Sequence, residues 1–211
     1  MRRVIVWRHG ETAHNAGGVY QGHLDTVLSE RGQEQAALAA RALAAREPVR
    51  LVSSDLRRAA VTAQALADLT GLTVERDRRW REIDVGGWQG RTHAEIVATD
   101  AEVLAALDRA EDVVRGGTGE RIADVQVRTR LAFNELVEGL GAGESAVVAT
   151  HGQSSRALVA DVVGLSYRQA WLALVGLRNC HWAELVEHRT GWRLDAWNVG
   201  VTDSVGSVTD R

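Results

Sequence analysis

The chain has 211 residues, 45% hydrophobic and 25% charged, with a formal net charge of −3. That length suits one sizeable α/β core, and the slight acidity gives no support to nucleic-acid or membrane-surface binding. The single cysteine, Cys180, excludes an internal disulfide and a thiolate metal cluster.

Val4 to Trp7 form an apolar run that reads as a first strand over residues 3–7. Ser29 is placed to cap a helix whose apolar positions Ala36, Ala37, Leu38, Ala40 and Leu43 carry it to about residue 45. A short strand at 51–53 precedes a helix from about 56 to 69, which Gly71 closes. A third strand covers 73–75. Gly86, Gly87 and Gly90 around Trp88 mark a shaped loop without regular structure. Thr92 caps a short helix, and a second is expected over 100–114. The run Gly116-Gly117-Thr118-Gly119 reads as a flexible hinge, since it lacks the Gly-Lys-Ser/Thr ending of a nucleotide P-loop. A long helix follows from about 122 to 140, then a strand at 146–150 and a helix from 154 to 163. His181–Val186 and Trp192–Trp197 are strand-like and joined through Thr190-Gly191, a hairpin signature. The alternation predicts an α/β fold with a mainly parallel central sheet and helices on both faces. A single domain is expected over 1–198, with a lid or insertion at about 86–120 and a tail at 199–211. No apolar stretch approaches a membrane span, and Met1-Arg2-Arg3 leads directly into a strand, so a cytoplasmic location is expected.

Two strands end alike. Val4-Ile5-Val6-Trp7 runs into Arg8-His9-Gly10-Glu11-Thr12, and Val147-Val148-Ala149-Thr150 runs into His151-Gly152. Ligands of open α/β sheets bind outside the carboxyl ends of the strands, so this arrangement would bring two histidines and an arginine to one crevice suited to an anion. All 25 basic side chains are arginine. This bias suggests a GC-rich genome and lowers the functional weight of any one surface arginine, although the guanidinium fork suits phosphate well.

Further blocks accompany these two in a fixed order. They are Asn15, Gly22 and Asp25; Ser54 to Ala59 with Thr62-Ala63; Arg81-Glu82 ahead of Gly86 and Trp88-Gln89-Gly90; and Thr150-His151-Gly152. Together, from residue 3 to about 165, they resemble the histidine phosphatase superfamily, which includes the cofactor-dependent phosphoglycerate mutases. The resemblance implies a three-layer α/β/α sandwich and a phosphohistidine mechanism that needs neither metal nor cofactor.

On that reading His9 is the nucleophile, a neutral imidazole whose ring is held by backbone carbonyls of the Arg-His-Gly turn with help from Gly10. Arg8 and Arg58 grip the phosphate in bidentate fashion, and His151 adds a charge-assisted donor. Glu82 protonates the leaving alkoxide and later activates water. Asn15, Gln21, Gly22 and Gly152 fit a phosphate rim, with loop hydrogen bonding the alternative for Asn15 and Gln21. Arg57 reads as decoration of a helix start. Of the seven tryptophans, Trp88 and Trp171 are the candidates to line a substrate pocket.

The substrate expected is a small phosphorylated metabolite. The compact interval from Glu82 to His151 and Asn179-Cys180 ahead of a strand resemble the phosphatase branch, whereas Gln153 to Val159 resemble the mutases. Further blocks, including Gln21–Thr26, Trp88–Ala94 and Trp192–Asn198, are similar to actinobacterial phosphatases acting on a phosphorylated, carboxylate-bearing glycoside. For such a substrate Arg81, Arg91 and Arg115 are the candidates to meet the carboxylate. A phosphomonoesterase is therefore expected, with a mutase second and a non-catalytic phospho-ligand module third. A homodimer is compatible with the family and with the exposed hairpin edge.

Overall fold

The computed structural model describes residues 1–201. In chain order it comprises β1 (Arg3–Arg8), α1 (Ala13–Ala16), α2 (Glu30–Ala44), β2 (Arg50–Ser53), α3 (Arg57–Thr70), β3 (Val74–Arg76), α4 (His93–Asp108), α5 (Ile122–Glu138), β4 (Ser145–Thr150), α6 (Gly152–Val163), α7 (Tyr167–Ala173), β5 (Trp182–His188) and β6 (Gly191–Val199). The strands form one six-stranded sheet in the order β3-β2-β4-β1-β5-β6. The β3-β2, β2-β4 and β4-β1 pairs are parallel, while β5 pairs antiparallel with both β1 and β6.

The central strands are apolar at successive positions because both of their faces are covered. Val4, Val6, Ala146 and Val148 point to one side, against Phe133 and Leu136 of α5 and Leu158 of α6. Ile5, Trp7, Val147 and Ala149 point to the other, against Ala40 and Leu43 of α2 and Leu66 of α3. This period-2 alternation between two apolar layers makes the three-layer sandwich. A third apolar cluster, with Ile83, Val85, Trp88, Ile96, Leu107 and Ile122, supports the segment that lies over the strand ends. Full burial of side chains of this size contributes about 1.5–3 kcal/mol each, so this segment has a core of its own.

Several expectations are corrected. Residues 86–88 form a 3₁₀ turn rather than an irregular loop. The two helices expected after Thr92 are both present, end to end within α4 and separated by a kink at Asp100 (φ −134°, ψ 32°), but the second stops at Asp108 rather than 114. The 116–119 run is a packed turn and not a hinge. Gly119 N donates to Arg115 O at 2.8 Å, and Gly87 N donates to Gly116 O at 2.9 Å. At Gly116, φ is +53° and a Cβ would stand 2.1 Å from Val85 O, so only glycine fits. Helix α7 is an addition to the expected elements, although Ser166 and Gln169 form a capping box at its start. Strand β6 reaches Val199, and residues 202–211 of the expected tail lie outside the described residues.

Candidate active site

The register of β1 and β4 dictates where the two histidines meet. Arg8 is the partner of Thr150 across the parallel pair, so His9 and His151 each stand one residue beyond a matched end. His9 N donates to Thr150 O at 2.9 Å. Neighbouring strands lie about 4.7–4.9 Å apart, and the two imidazole centroids are 5.1 Å apart at an interplanar angle of 63°. Gly10 is required by the tight turn that follows. A Cβ there would come within 2.3 Å of Gly32 O, at the start of α2.

Arg58 comes from the first turn of α3, beyond β2. This helix lacks a side-chain cap from its own N-cap residue, but Asp25 accepts from Arg57 N at 2.7 Å and also pairs with the Arg57 side chain. Arg57, expected only to decorate the helix start, is tied there to Asp25. Glu82 lies between β3 and the 86–88 turn, and its carboxylate faces the N-terminus of α6. It accepts from Ile83 N at 2.9 Å, Gln153 N at 3.1 Å and Ser154 N at 3.0 Å, while the Ser154 hydroxyl donates to Arg81 O at 2.6 Å. An anionic side chain belongs at such an end, where backbone N–H groups have no partner within the helix.

These elements surround a cavity of about 350 Å³ lined by Arg8, His9, Asn15, Gln21, Gly22, Arg58 and Glu82, with Trp88, Arg115 and Trp171 further round its wall. Among the described residues, two buried side-chain polar atoms lack a partner, Arg8 Nε and Trp88 Nε1, and both belong to lining residues. An unsatisfied buried donor costs about 1–3 kcal/mol, which a ligand oxygen would recover.

His9 is 3% exposed. Its Nδ1 lies 2.7 Å from Gly10 O. A carbonyl can only accept, so Nδ1 carries the proton and Nε2 keeps a lone pair. Burial, with Arg58 and Arg8 adding their positive charge, holds the imidazole well below 6.5, so it is neutral at pH 7. Asn15 and Gln21 have their carbonyl oxygens engaged within the protein: Asn15 Oδ1 accepts from Thr12 N at 3.2 Å, and Gln21 Oε1 from Thr26 Oγ1 at 2.5 Å. Their amide NH₂ ends therefore remain for a ligand. Gly22 contributes its carbonyl, which accepts from Arg58 Nη2 at 2.8 Å. Gly152 packs on Arg8, where a Cβ would lie 3.6 Å from the guanidinium carbon.

Two expectations about charge need correction. His151 is fully buried and held well below 6.5 by that burial and by Arg58, so it is neutral rather than a charged donor. Its Nδ1 accepts from Arg58 Nε at 3.2 Å and its Nε2 lies 2.9 Å from Ser54 Oγ. Arg58 is correspondingly committed. Nη1 donates to Leu24 O at 2.6 Å and reaches Thr26 Oγ1 at 3.5 Å, leaving one Nη2 hydrogen rather than a free two-pronged edge. Burial lowers its pKa to about 10, so it stays protonated at neutral pH. Arg8 spends Nη1 on Leu177 O, and its Nε–Nη2 edge can grip a phosphate in bidentate fashion.

Of the arginines proposed for a carboxylate, Arg81 is paired twice with Asp55, at 2.7 and 2.6 Å, and Arg91 binds Glu95 O and Thr99 Oγ1. Arg115 alone of the three lines the cavity. The expected cavity tryptophans, Trp88 and Trp171, both line it. Residues missed by sequence reasoning are Tyr20, Leu107 and Gln153 on the wall, and Asn179, whose Nδ2 donates to His9 O at 3.0 Å. The Asn179-Cys180 pair carried a family signal but no geometric one.

A neutral imidazole with a free nitrogen lone pair, flanked by guanidinium groups and faced by a carboxyl group, is an arrangement suited to phosphoryl transfer. The chain belongs to the histidine phosphatase superfamily (branch 1), which it matches over residues 4–200. It is 41% identical over 216 residues to the glucosyl-3-phosphoglycerate phosphatase of Mycolicibacterium vanbaalenii, covering 94% of this chain and 95% of that protein. The solved structure of a mycobacterial glucosyl-3-phosphoglycerate phosphatase complexed with VO3 superposes with a TM-score of 0.88 at 42% identity, covering 95% of this chain and all of that one. A probable phosphoglycerate mutase of Yersinia enterocolitica is 29% identical over 208 residues, covering 99% of this chain and 94% of that protein. The higher identity lies with the phosphatases and favours hydrolysis over mutase activity.

Proposed function

We propose that the chain hydrolyses glucosyl-3-phosphoglycerate to glucosylglycerate and inorganic phosphate through a phosphohistidine at His9. The observation that carries the mechanism is the His9 ring, with Nδ1–H tied to Gly10 and an Nε2 lone pair in a cavity flanked by Arg8 and Arg58. The substrate is taken from the 41% identical relative.

In the first step Nε2 of His9 attacks phosphorus, the P–O bond to the glycerate carbon skeleton breaks, and Glu82 gives its proton to the departing oxygen. Oε1 of Glu82 already accepts from two backbone N–H groups and Oε2 from one, so Oε2 is the atom with the greater capacity to hold that proton. Arg8, the remaining Arg58 hydrogen and the amides of Asn15 and Gln21 stabilise the phosphoryl oxygens. His151, neutral itself, positions Arg58 through its Nδ1. In the second step water attacks phosphorus and returns a proton to Glu82, and the P–N bond breaks to release phosphate and neutral His9. Two in-line displacements give net retention at phosphorus.

We further propose that residues 1–198 act as one domain with 86–120 as its roof, working in the cytoplasm of an actinobacterial cell. A second copy of the chain is the one macromolecular partner proposed. No helix among the described residues is long and apolar enough to cross a membrane.

The test is phosphate release from glucosyl-3-phosphoglycerate, 3-phosphoglycerate and other phosphorylated metabolites side by side. The glycoside is expected to give the highest kcat/KM. Conversion of 3- to 2-phosphoglycerate with a bisphosphate primer, faster than phosphate release, would overturn the reading.

A further inference from the structure

We infer that Arg115 forms a second anion subsite that takes the substrate's carboxylate. This rests on the phosphoryl group occupying the His9 end of the cavity.

Arg115 is only 5% exposed yet lines the same cavity as Arg8, His9 and Arg58. Its hydrogen bonds within the protein go to neutral acceptors. Nη1 donates to Val113 O, and Nη2 reaches Tyr167 Oη at 3.5 Å, the long limit of a hydrogen bond. Among the described residues it has no ion-pair partner. The nearby carboxylate of Asp112 is already committed, accepting from Ile122 N at 2.7 Å and Ala123 N at 3.0 Å at the start of α5. A buried guanidinium hydrogen-bonded only to neutral acceptors, with spare N–H groups, is costly unless an anion completes it.

The surroundings raise that demand. Arg156, 9% exposed, packs near the same wall with its guanidinium carbon 4.2 Å from the Trp171 ring centroid, and it donates to Gln153 Oε1 at 2.9 Å. Its partners are also neutral. Burial lowers the pKa of both arginines, and the neighbouring Tyr167 offsets part of that effect.

The 115–120 turn fixes this geometry before any ligand arrives. Arg115 N donates to Glu120 O at 3.2 Å and Glu120 N to Asp84 O at 2.9 Å, so the arginine is carried on a packed support. A subsite of this kind would select phosphomonoesters bearing a carboxylate over otherwise similar neutral ones.

D-3-phosphoglycerate and sn-glycerol 1-phosphate share their spatial arrangement at C2 and differ by a carboxylate in place of a hydroxymethyl group, and the ratio of their kcat/KM values reads the subsite. We expect wild type to favour the carboxylate by about 30-fold, the discrimination given by one charge-assisted hydrogen-bonded contact. Arg115→Gln should bring the ratio to within about threefold of unity, and Arg115→Lys should restore part of it. A wild-type ratio near one, or a ratio unchanged in Arg115→Gln, overturns the inference. The wild-type ratio holds this test even where a variant fails to fold. Failure of glucosyl-3-phosphoglycerate to outperform 3-phosphoglycerate would overturn the proposed substrate alone, leaving the carboxylate ratio to judge Arg115.

Discussion

Burial of the His9 ring makes its protonation a cost to the fold. Its imidazole is held well below 6.5 in the native state by burial and by Arg58 and Arg8, whereas in the unfolded chain it titrates near 6.5. Below that value the unfolded state binds more protons than the native state, so stability rises with pH and is lost as pH falls through 6.5. While native His9 stays neutral, linkage costs about 1.4 kcal/mol per pH unit, or about 2 kcal/mol between pH 7 and pH 5. Asparagine at this position removes the titration without introducing charge. The assay is urea unfolding of wild type and His9→Asn across this range, read as the difference between the two curves. The expected outcome is that wild type loses more stability than His9→Asn on going to pH 5, with about 2 kcal/mol as the linkage ceiling. Parallel curves would refute the argument, because they would show that native His9 takes up its proton as readily as the unfolded chain.

Glu82→Gln keeps the shape of the carboxyl but cannot give a proton. Loss of kcat should be about 10²–10³-fold for an alkyl phosphate and much smaller for p-nitrophenyl phosphate, whose leaving group needs no protonation; equal losses would reject the acid role. Arg128 donates to Arg79 O, Arg81 O and Glu82 O and pairs with Glu120, fixing the backbone that presents Glu82. Arg128→Met should lower stability by about 3 kcal/mol in urea unfolding and lower kcat more than it changes KM; unchanged kcat would separate this clamp from catalysis. Gly116→Ala should cost about 2–3 kcal/mol, read as a fall in thermal midpoint, because φ is +53° and the new Cβ meets Val85 O. An unaltered midpoint would show the turn to be loose.

Much of the fold was legible because the central strands are buried on both faces and read as unbroken apolar runs. The two histidines were legible for the same reason: each follows such a run, and a parallel register with matched ends leaves them adjacent. Other features depend on contacts distant in sequence. The glycines at 116–119 suggested freedom, but their conformation serves close packing against 84–87. His151 was expected to carry charge, and only the full set of neighbours shows that burial and Arg58 keep it neutral. The number of Arg58 donors left for phosphate likewise depends on carbonyls at 22 and 24, which motif spacing does not reveal. Arg115 could not be told from Arg81 and Arg91 by sequence, because the distinction lies in which of them already has an acidic or backbone partner.

The most direct measurement is trapping of the covalent intermediate. With a ³²P-labelled phosphomonoester and an alkaline quench, which preserves phosphohistidine, the label should appear on the peptide containing His9 and be absent in His9→Asn. Label on another residue, or steady turnover by His9→Asn at the wild-type rate, would contradict His9 as the phosphoryl acceptor.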